Sequence, residues 1–184
     1  MQVKYSDLKN KRVFITGGGS GIGASIVEHF CEQGSEVYFV DINLKETKKL
    51  LNKIKKNKFR APIFIECNLL DINKLEKIIR NIITQKGPIH ALINNAANDD
   101  RHTTDEVDEK YWENRIAINL KHYFFAAKAV VKSMKKIKAG SIVNLSSVSW
   151  MLGEGDKVVY ETAKSAVVGL TRSFAQELSL IHIS

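Results

Sequence analysis

Cysteine is scarce in this chain. Cys31 and Cys67 are the two in 184 residues. One falls in a helical pattern and the other near a strand end, which excludes a disulfide framework. No apolar run approaches the roughly 20 residues of a bilayer-spanning helix. The opening stretch, MQVKYSDLKNKRVFITG, has no signal-peptide apolar region before the first candidate strand. Repeats, linkers and low-complexity segments are missing too, and nothing in the chain suggests a metal site. These absences predict a cytoplasmic, reduced protein with no membrane association, in which residues 1–184 form a single domain. The composition, 44% hydrophobic and 26% charged, is that of an ordinary globular protein.

Acidic residues are outnumbered, 20 against 28 basic ones, for a net charge of +8. A nucleic-acid surface would use such an excess. Here, however, the lysines gather in KETKKLLNKIKKNK (45–58) and KSMKKIK (132–138). In the first of these, Leu50, Leu51 and Ile54 recur at helical spacing, so the lysines read as a solvated helix face. No nucleic-acid partner is expected.

Short apolar runs alternate with longer segments of 3.6-residue period. The candidate strands are 12–16, 36–40, 61–66, 89–94 and 141–146. Helical patterns lie near 21–33, 43–56, 71–86, 108–138 and 158–179. The third pattern carries Leu75, Ile78, Ile79, Ile82 and Ile83 on one stripe, with Asp71 placed as its cap. Strands that are apolar throughout are buried on both faces. The order therefore predicts an α/β fold: a doubly wound, Rossmann-type parallel sheet in three α/β/α layers.

Between the first strand and first helix lies TGGGSGIG (16–23). Glycines at such a junction let backbone N–H groups approach a pyrophosphate at the positive end of the helix dipole. The glycines here are spaced G-x-x-x-G-x-G, from Gly17 through Gly21 to Gly23. No Lys-Ser or Lys-Thr follows, which argues against a P-loop. Asp41 ends the second strand, eighteen residues beyond Gly23. A carboxylate there accepts bonds from adenosine ribose hydroxyls and repels a 2′-phosphate, so NAD is favoured over NADP. Lys45 and the lysines after it are the competing signal. Tyr160 and Lys164 are four residues apart, which in a helix puts them on one face.

Taken in order, TGGGSGIG, Asp41, NNAA (94–97), Asn119 in IAINL, Ser147 in NLSSVS, and Tyr160 with Lys164 resemble the short-chain dehydrogenase/reductase family. The resemblance runs from residue 9 to about 179, and Ser147 precedes Tyr160 by thirteen residues, as that family's serine does. It implies that Tyr160 is the general base of alcohol oxidation, that Lys164 favours the phenolate and holds the nicotinamide ribose, and that Ser147 donates to the substrate oxygen. Asn119 is expected to hold a water linking Lys164 to solvent, and Asn94 to support the sheet. The implied cofactor contacts are Gly17, Ser20, Gly21, Ile22 and Gly23 in the loop, Asp41, Asn68 and Leu69 at the adenosine end, and Asn95 and Ala96, with Tyr160 and Lys164. Two positions depart from the family pattern. Ala97 stands where glycine is usual, and Asn68 where an aspartate often meets the adenine amino group.

NAANDDRH, YWENRIAINLKH and SWMLGEGDKVVYETAK are similar to the NAD-dependent aldose 1-dehydrogenases of the D-xylose type within that family. This implies oxidation of a pentose at C1 to the aldonolactone, with Asn98, Asp99, Arg101, Ser147, Trp150 and Tyr160 around the sugar. Another ketone or 3-oxoacyl reductase and a non-catalytic nucleotide-binding module remain as alternatives. Family members run to about 250 residues, an ordinary single-domain length. The resemblance therefore predicts that the C-terminal part is missing here, that 179–184 is an unrelated tail, and that this chain binds NAD weakly and turns over poorly. It also predicts a homodimer or homotetramer for the completed protein.

Overall fold

The computed structural model describes residues 3–178; the tail expected at 179–184 lies outside the described residues. The elements alternate as β1 (Arg12–Thr16), α1 (Gly21–Glu32), β2 (Glu36–Asp41), α2 (Leu44–Lys56), β3 (Ile63–Glu66), α3 (Ile72–Lys86) and β4 (Ala91–Asn94). Then come α4 (Glu109–Ile116), α5 (His122–Ile137), β5 (Ser141–Asn144), the short α6 (Ser149–Leu152) and α7 (Val158–Leu178). All strand pairs are parallel, in the order β3-β2-β1-β4-β5.

Successive strand residues point to opposite faces of a sheet, and in β1 both directions are buried. Val13 and Ile15 join Val27 of α1 with Leu50 and Ile54 of α2, while Phe14 joins Leu75 and Ile79 of α3 with Ala127 and Val130 of α5. Each large side chain so buried contributes about 1.5–3 kcal/mol, and the pattern makes the sheet the middle of three layers. Phe174 and Leu178 of α7 pack on the α3/α5 side. Asp71 caps α3 by accepting from the Lys74 N–H at 2.9 Å, and Asn43 caps α2 through Glu46 at 3.1 Å.

Four strand boundaries differ from the sequence reading, β2 running on to Asp41. β3 begins after Pro62, which has no N–H to give a ladder. β4 begins at Ala91 and β5 ends at Asn144. The pattern over 108–138 is not one helix. A π turn over Ala117–Lys121 separates α4 from α5. β5 pairs only with β4 among the described residues, leaving it at the sheet edge with Val143 44% exposed.

Thr16, Asp41 and Asn94 all lie at the carboxyl ends of their strands, with Thr16 in register with both Val40 and Asn94. Chain connections leave β1 and β4 toward opposite sides of the sheet, so a crevice opens between them. Open α/β sheets bind their ligands at that point.

Candidate active site

A cleft of about 490 Å³ fills this crevice. Gly17, Ser20, Gly21, Ile22 and Gly23 line it, as do Asp41, Asn68, Leu69, Asn95, Ala96, Asn98, Asp99 and Tyr160. Close packing leaves no alternative to glycine at position 23. A Cβ there would lie 1.9 Å from the Gly17 carbonyl oxygen and 2.6 Å from Asn95 Nδ2. Gly21, by contrast, has φ +53° and open space where its Cβ would be. That space belongs to the cleft, at the amino end of α1, where exposed N–H groups and the helix dipole favour an anion. The glycine cradle, the dipole and the volume of the cleft fit a dinucleotide.

Asp41 is 9% exposed, and its carboxylate ties the glycine loop to the tip of β2. Oδ2 accepts from the Gly19 N–H at 2.8 Å, and Oδ1 from Ile42 and Asn43 at 2.7 and 2.8 Å. Asn95 ties the same loop to β4. Its Nδ2 donates to the Thr16 and Gly17 carbonyls at 3.1 and 2.9 Å, and its own N–H donates to Thr16 Oγ1. Asn94 Nδ2 donates to Asn144 Oδ1 at 2.8 Å, bridging β4 to β5. Asn68 spends one lone pair locally, accepting from Leu70 N–H at 3.0 Å.

Asn119, fully buried on the π turn, forms a reciprocal pair with Asn98: Asn98 N–H donates to its Oδ1 at 2.8 Å, and its Nδ2 donates to the Asn98 carbonyl at 2.9 Å. Tyr160 is half-buried at the cleft wall, one helical turn before Lys164. Partial burial raises the pKa of its phenol; the Ser147 hydroxyl and, more weakly, Lys157 pull it down, and Asp99 adds to the rise. Lys164 is 1% exposed and, among the described residues, has no carboxylate partner. Its ammonium donates to Tyr123 Oη at 2.9 Å and to the Leu145 carbonyl at 2.7 Å, and lies 5.7 Å from the Tyr160 ring centroid. Burial lowers its pKa to about 8, with Asp99 opposing. Ser147 accepts from the Ser149 N–H at 3.2 Å, and its hydroxyl pairs with that of Ser149 at 2.8 Å.

The short chain dehydrogenase profile matches residues 11–184. The chain belongs to the short-chain dehydrogenase family. It is 42% identical over 174 residues to a D-xylose 1-dehydrogenase from Caulobacter vibrioides, an alignment covering 95% of this chain and 68% of that protein. A probable galactose dehydrogenase, GalD, from Rhizobium meliloti is 38% identical over 175 residues, again 95% and 68% of the two chains. Among solved structures, a chain assigned as a short-chain alcohol dehydrogenase from Sinorhizobium meliloti superposes with a TM-score of 0.87. It is 28% identical, with 95% of this chain and 69% of that one covered. These relatives are oxidoreductases, and the fold is one that binds a nicotinamide dinucleotide.

Within this short-chain dehydrogenase, several ties hold the loop 98–102. Arg101 makes two contacts to the Asp156 carboxylate, at 2.7 and 2.6 Å, and the His102 N–H donates to the Asp156 carbonyl at 2.7 Å. His102 Nε2 accepts from the Val159 N–H at 3.3 Å, next to Tyr160. An amide can only donate, so Nε2 is the unprotonated nitrogen and Nδ1 carries the hydrogen, within reach of Tyr111 Oη at 2.9 Å and the Asp100 carbonyl at 3.1 Å. Arg115 holds Asp100 at 2.7 Å. Of the residues named for a sugar, Asn98, Asp99 and Tyr160 line the cleft. Arg101 turns to Asp156 instead, and Trp150 sits half-buried in α6, away from the cleft lining. Sequence reasoning passed over Tyr123, His102 and Ser149. Their partners lie 41, 57 and 2 residues away; only the Ser149 pairing, inside NLSSVS, had a local signal.

Proposed function

We propose that this short-chain dehydrogenase uses NAD to oxidise an aldose, of the pentose class, at C1 to the aldonolactone. The observation that carries the reading is the 42% and 38% identity to two sugar dehydrogenases. A nicotinamide dinucleotide bound along the cleft supplies the ring that accepts hydride from the anomeric carbon. The loop N–H groups and the amino end of α1 hold its pyrophosphate. Asp41, its carboxylate already fixed by three N–H groups, offers its remaining lone pair to a ribose hydroxyl and opposes a 2′-phosphate.

Tyr160 takes the anomeric hydroxyl proton. A phenol of pKa ~10 is a poor base at neutral pH, and partial burial makes Tyr160 poorer still. The Lys164 cation, one helical turn along, supplies the opposing pull as negative charge develops on Tyr160 Oη. Ser147 donates to the sugar oxygen. Its own oxygen accepts from the Ser149 N–H, and with the Ser149 hydroxyl as donor in their 2.8 Å pair the Ser147 hydrogen can turn to the substrate. Asn119 clamps Asn98 and keeps that part of the cleft wall in place.

The test is initial rates for pentoses, hexoses and 3-oxoacyl thioesters with NAD and with NADP. Pentose turnover with the lower Michaelis constant for NAD is expected. Turnover of thioesters alone would refute the sugar reading, and a clear NADP preference would refute the role given to Asp41.

A further inference from the structure

Two phenols flank the Lys164 ammonium, and only one of them belongs to the chemistry above. Tyr123, at the start of α5, is 0% exposed. Its Oη accepts from Lys164 Nζ at 2.9 Å and faces the Leu145 carbonyl at 3.1 Å and the Ala96 carbonyl at 3.4 Å. Ala96 is itself a wall of the cleft. An ammonium has three N–H bonds. Two are committed here, to Tyr123 Oη and the Leu145 carbonyl. The third is the one that no protein oxygen takes among the described residues.

We propose that Tyr123 is a positioning residue. Its hydroxyl seats the Lys164 ammonium against the cleft wall and leaves that third N–H directed at Tyr160 and the cofactor. The inference rests on the dehydrogenase reading only for what the third N–H does; the seat itself is a property of the protein without ligand.

The charged and titratable groups around this ammonium are few. Tyr160 lies on its own helix, Tyr123 and His122 on α5, and Asp99 in the loop after β4. The Tyr123 phenol stays protonated. Burial, and then the neighbouring Tyr160, push its pKa well above the ordinary phenol value. It therefore offers the ammonium a neutral oxygen and does not compete with Tyr160 for the role of base. His122 is held neutral by burial, so it adds no second cation. With no carboxylate in contact among the described residues, each of the two acceptors matters to whether Lys164 remains charged. A hydrogen bond to the charged form raises a lysine pKa, and removing it lets desolvation drive the pKa further down.

The test is an NMR titration of 13Cε-lysine in the full chain with no dinucleotide added, using Lys164→Met to assign the resonance. Tyr123→Phe keeps the ring and removes the oxygen. Its Lys164 midpoint is expected to fall by about one pH unit, the size of one charge-assisted hydrogen bond. Tyr123→Met, which also lacks a hydroxyl, should shift it the same way, so a folding defect in either variant leaves the other to decide. A midpoint within about 0.2 unit of wild type in a folded variant overturns the proposal. NADH affinity, followed by its fluorescence, should weaken about fivefold in Tyr123→Phe at pH 8 and hardly at all at pH 6, where the ammonium survives. An equal loss at both pH values would mark a merely structural effect and also overturn it. Absence of sugar turnover with the shifted titration intact would count against the function proposed above and leave the seat standing.

Discussion

Replacing Gly23 by alanine separates the fold from the ligand in a way the neighbouring Gly21 does not. The added methyl would sit 1.9 Å from the Gly17 carbonyl oxygen and 2.8 Å from its carbon. Both atoms belong to backbone that cannot swing aside, because the Gly17 N–H is bonded to Val40 at 2.8 Å and its carbonyl takes the Asn95 amide at 2.9 Å. Relief means moving the start of α1 away from β1 by about 1 Å or breaking the Asn95 bond. Overpacking of this kind costs about 1–3 kcal/mol, and a lost buried hydrogen bond about 1 kcal/mol more. The expected destabilisation is therefore about 3 kcal/mol, read from the urea midpoint at constant m-value. Gly21→Ala meets no atom within 4 Å, and its φ of +53° costs only about 1–2 kcal/mol. Its methyl instead enters the cleft, so dinucleotide affinity should fall more than tenfold while most of the stability remains. Fluorescence titration with NADH alongside urea unfolding reads both quantities. If Gly23→Ala proved as stable as wild type, or if Gly21→Ala bound the dinucleotide normally, the account of this loop would be wrong.

Tyr160→Phe should keep the fold and NADH binding while lowering sugar turnover at least about 1,000-fold, since it removes the base and leaves the ring's packing; stopped-flow absorbance at the NADH band measures it. Lys164→Met should abolish turnover yet leave the urea midpoint equal to or above wild type, because an apolar chain of similar length replaces a buried ammonium with no counter-ion among the described residues; a large destabilisation would contradict that. Asn119→Leu removes both bonds to Asn98 and leaves that residue's backbone groups unmet, an expected loss of about 2–3 kcal/mol by chemical denaturation. His122 sets a pH dependence. Burial lowers its pKa from 6.5 to about 3, so on acidification the unfolded chain takes up the proton first. The stability it contributes is whole above pH 6.5 and declines by up to about 1.4 kcal/mol per unit below it, toward pH 3. Wild type minus His122→Asn, followed by urea unfolding from pH 7 to 5, isolates that slope.

Wherever one local pattern decided the outcome, the chain could be read directly. The α3 stripe, its Asp71 cap and the glycine loop each depend on neighbours within a few residues, and the structure has them where the periodicity puts them. Of the short-chain dehydrogenase motifs, the glycine loop, Asp41, Asn95, Ala96 and Tyr160 line the cleft, because β1, β2 and β4 end together there. The π turn escaped notice because an inserted helical residue leaves the apolar spacing on each side intact. Side-chain direction was the other blind spot. Arg101, placed near a sugar by its position after NNAA, spends its guanidinium on Asp156, fifty-five residues on. Lys164, four residues from Tyr160, gives its bonds to Tyr123 and Leu145. Helical spacing says which residues share a face, and long-range partners decide where their charged ends go.

The π turn over Ala117–Lys121 does more than interrupt a helix. One surplus residue twists everything downstream by about 100° relative to what precedes it. The segment carrying Trp112 and Arg115 thus has its own angular phase, separate from the one that buries Tyr123, Ala126, Ala127 and Val130. A single-residue deletion here would act as a rotation. It would swing the α5 stripe off the sheet while leaving α4 untouched, a far larger insult than its one missing side chain suggests.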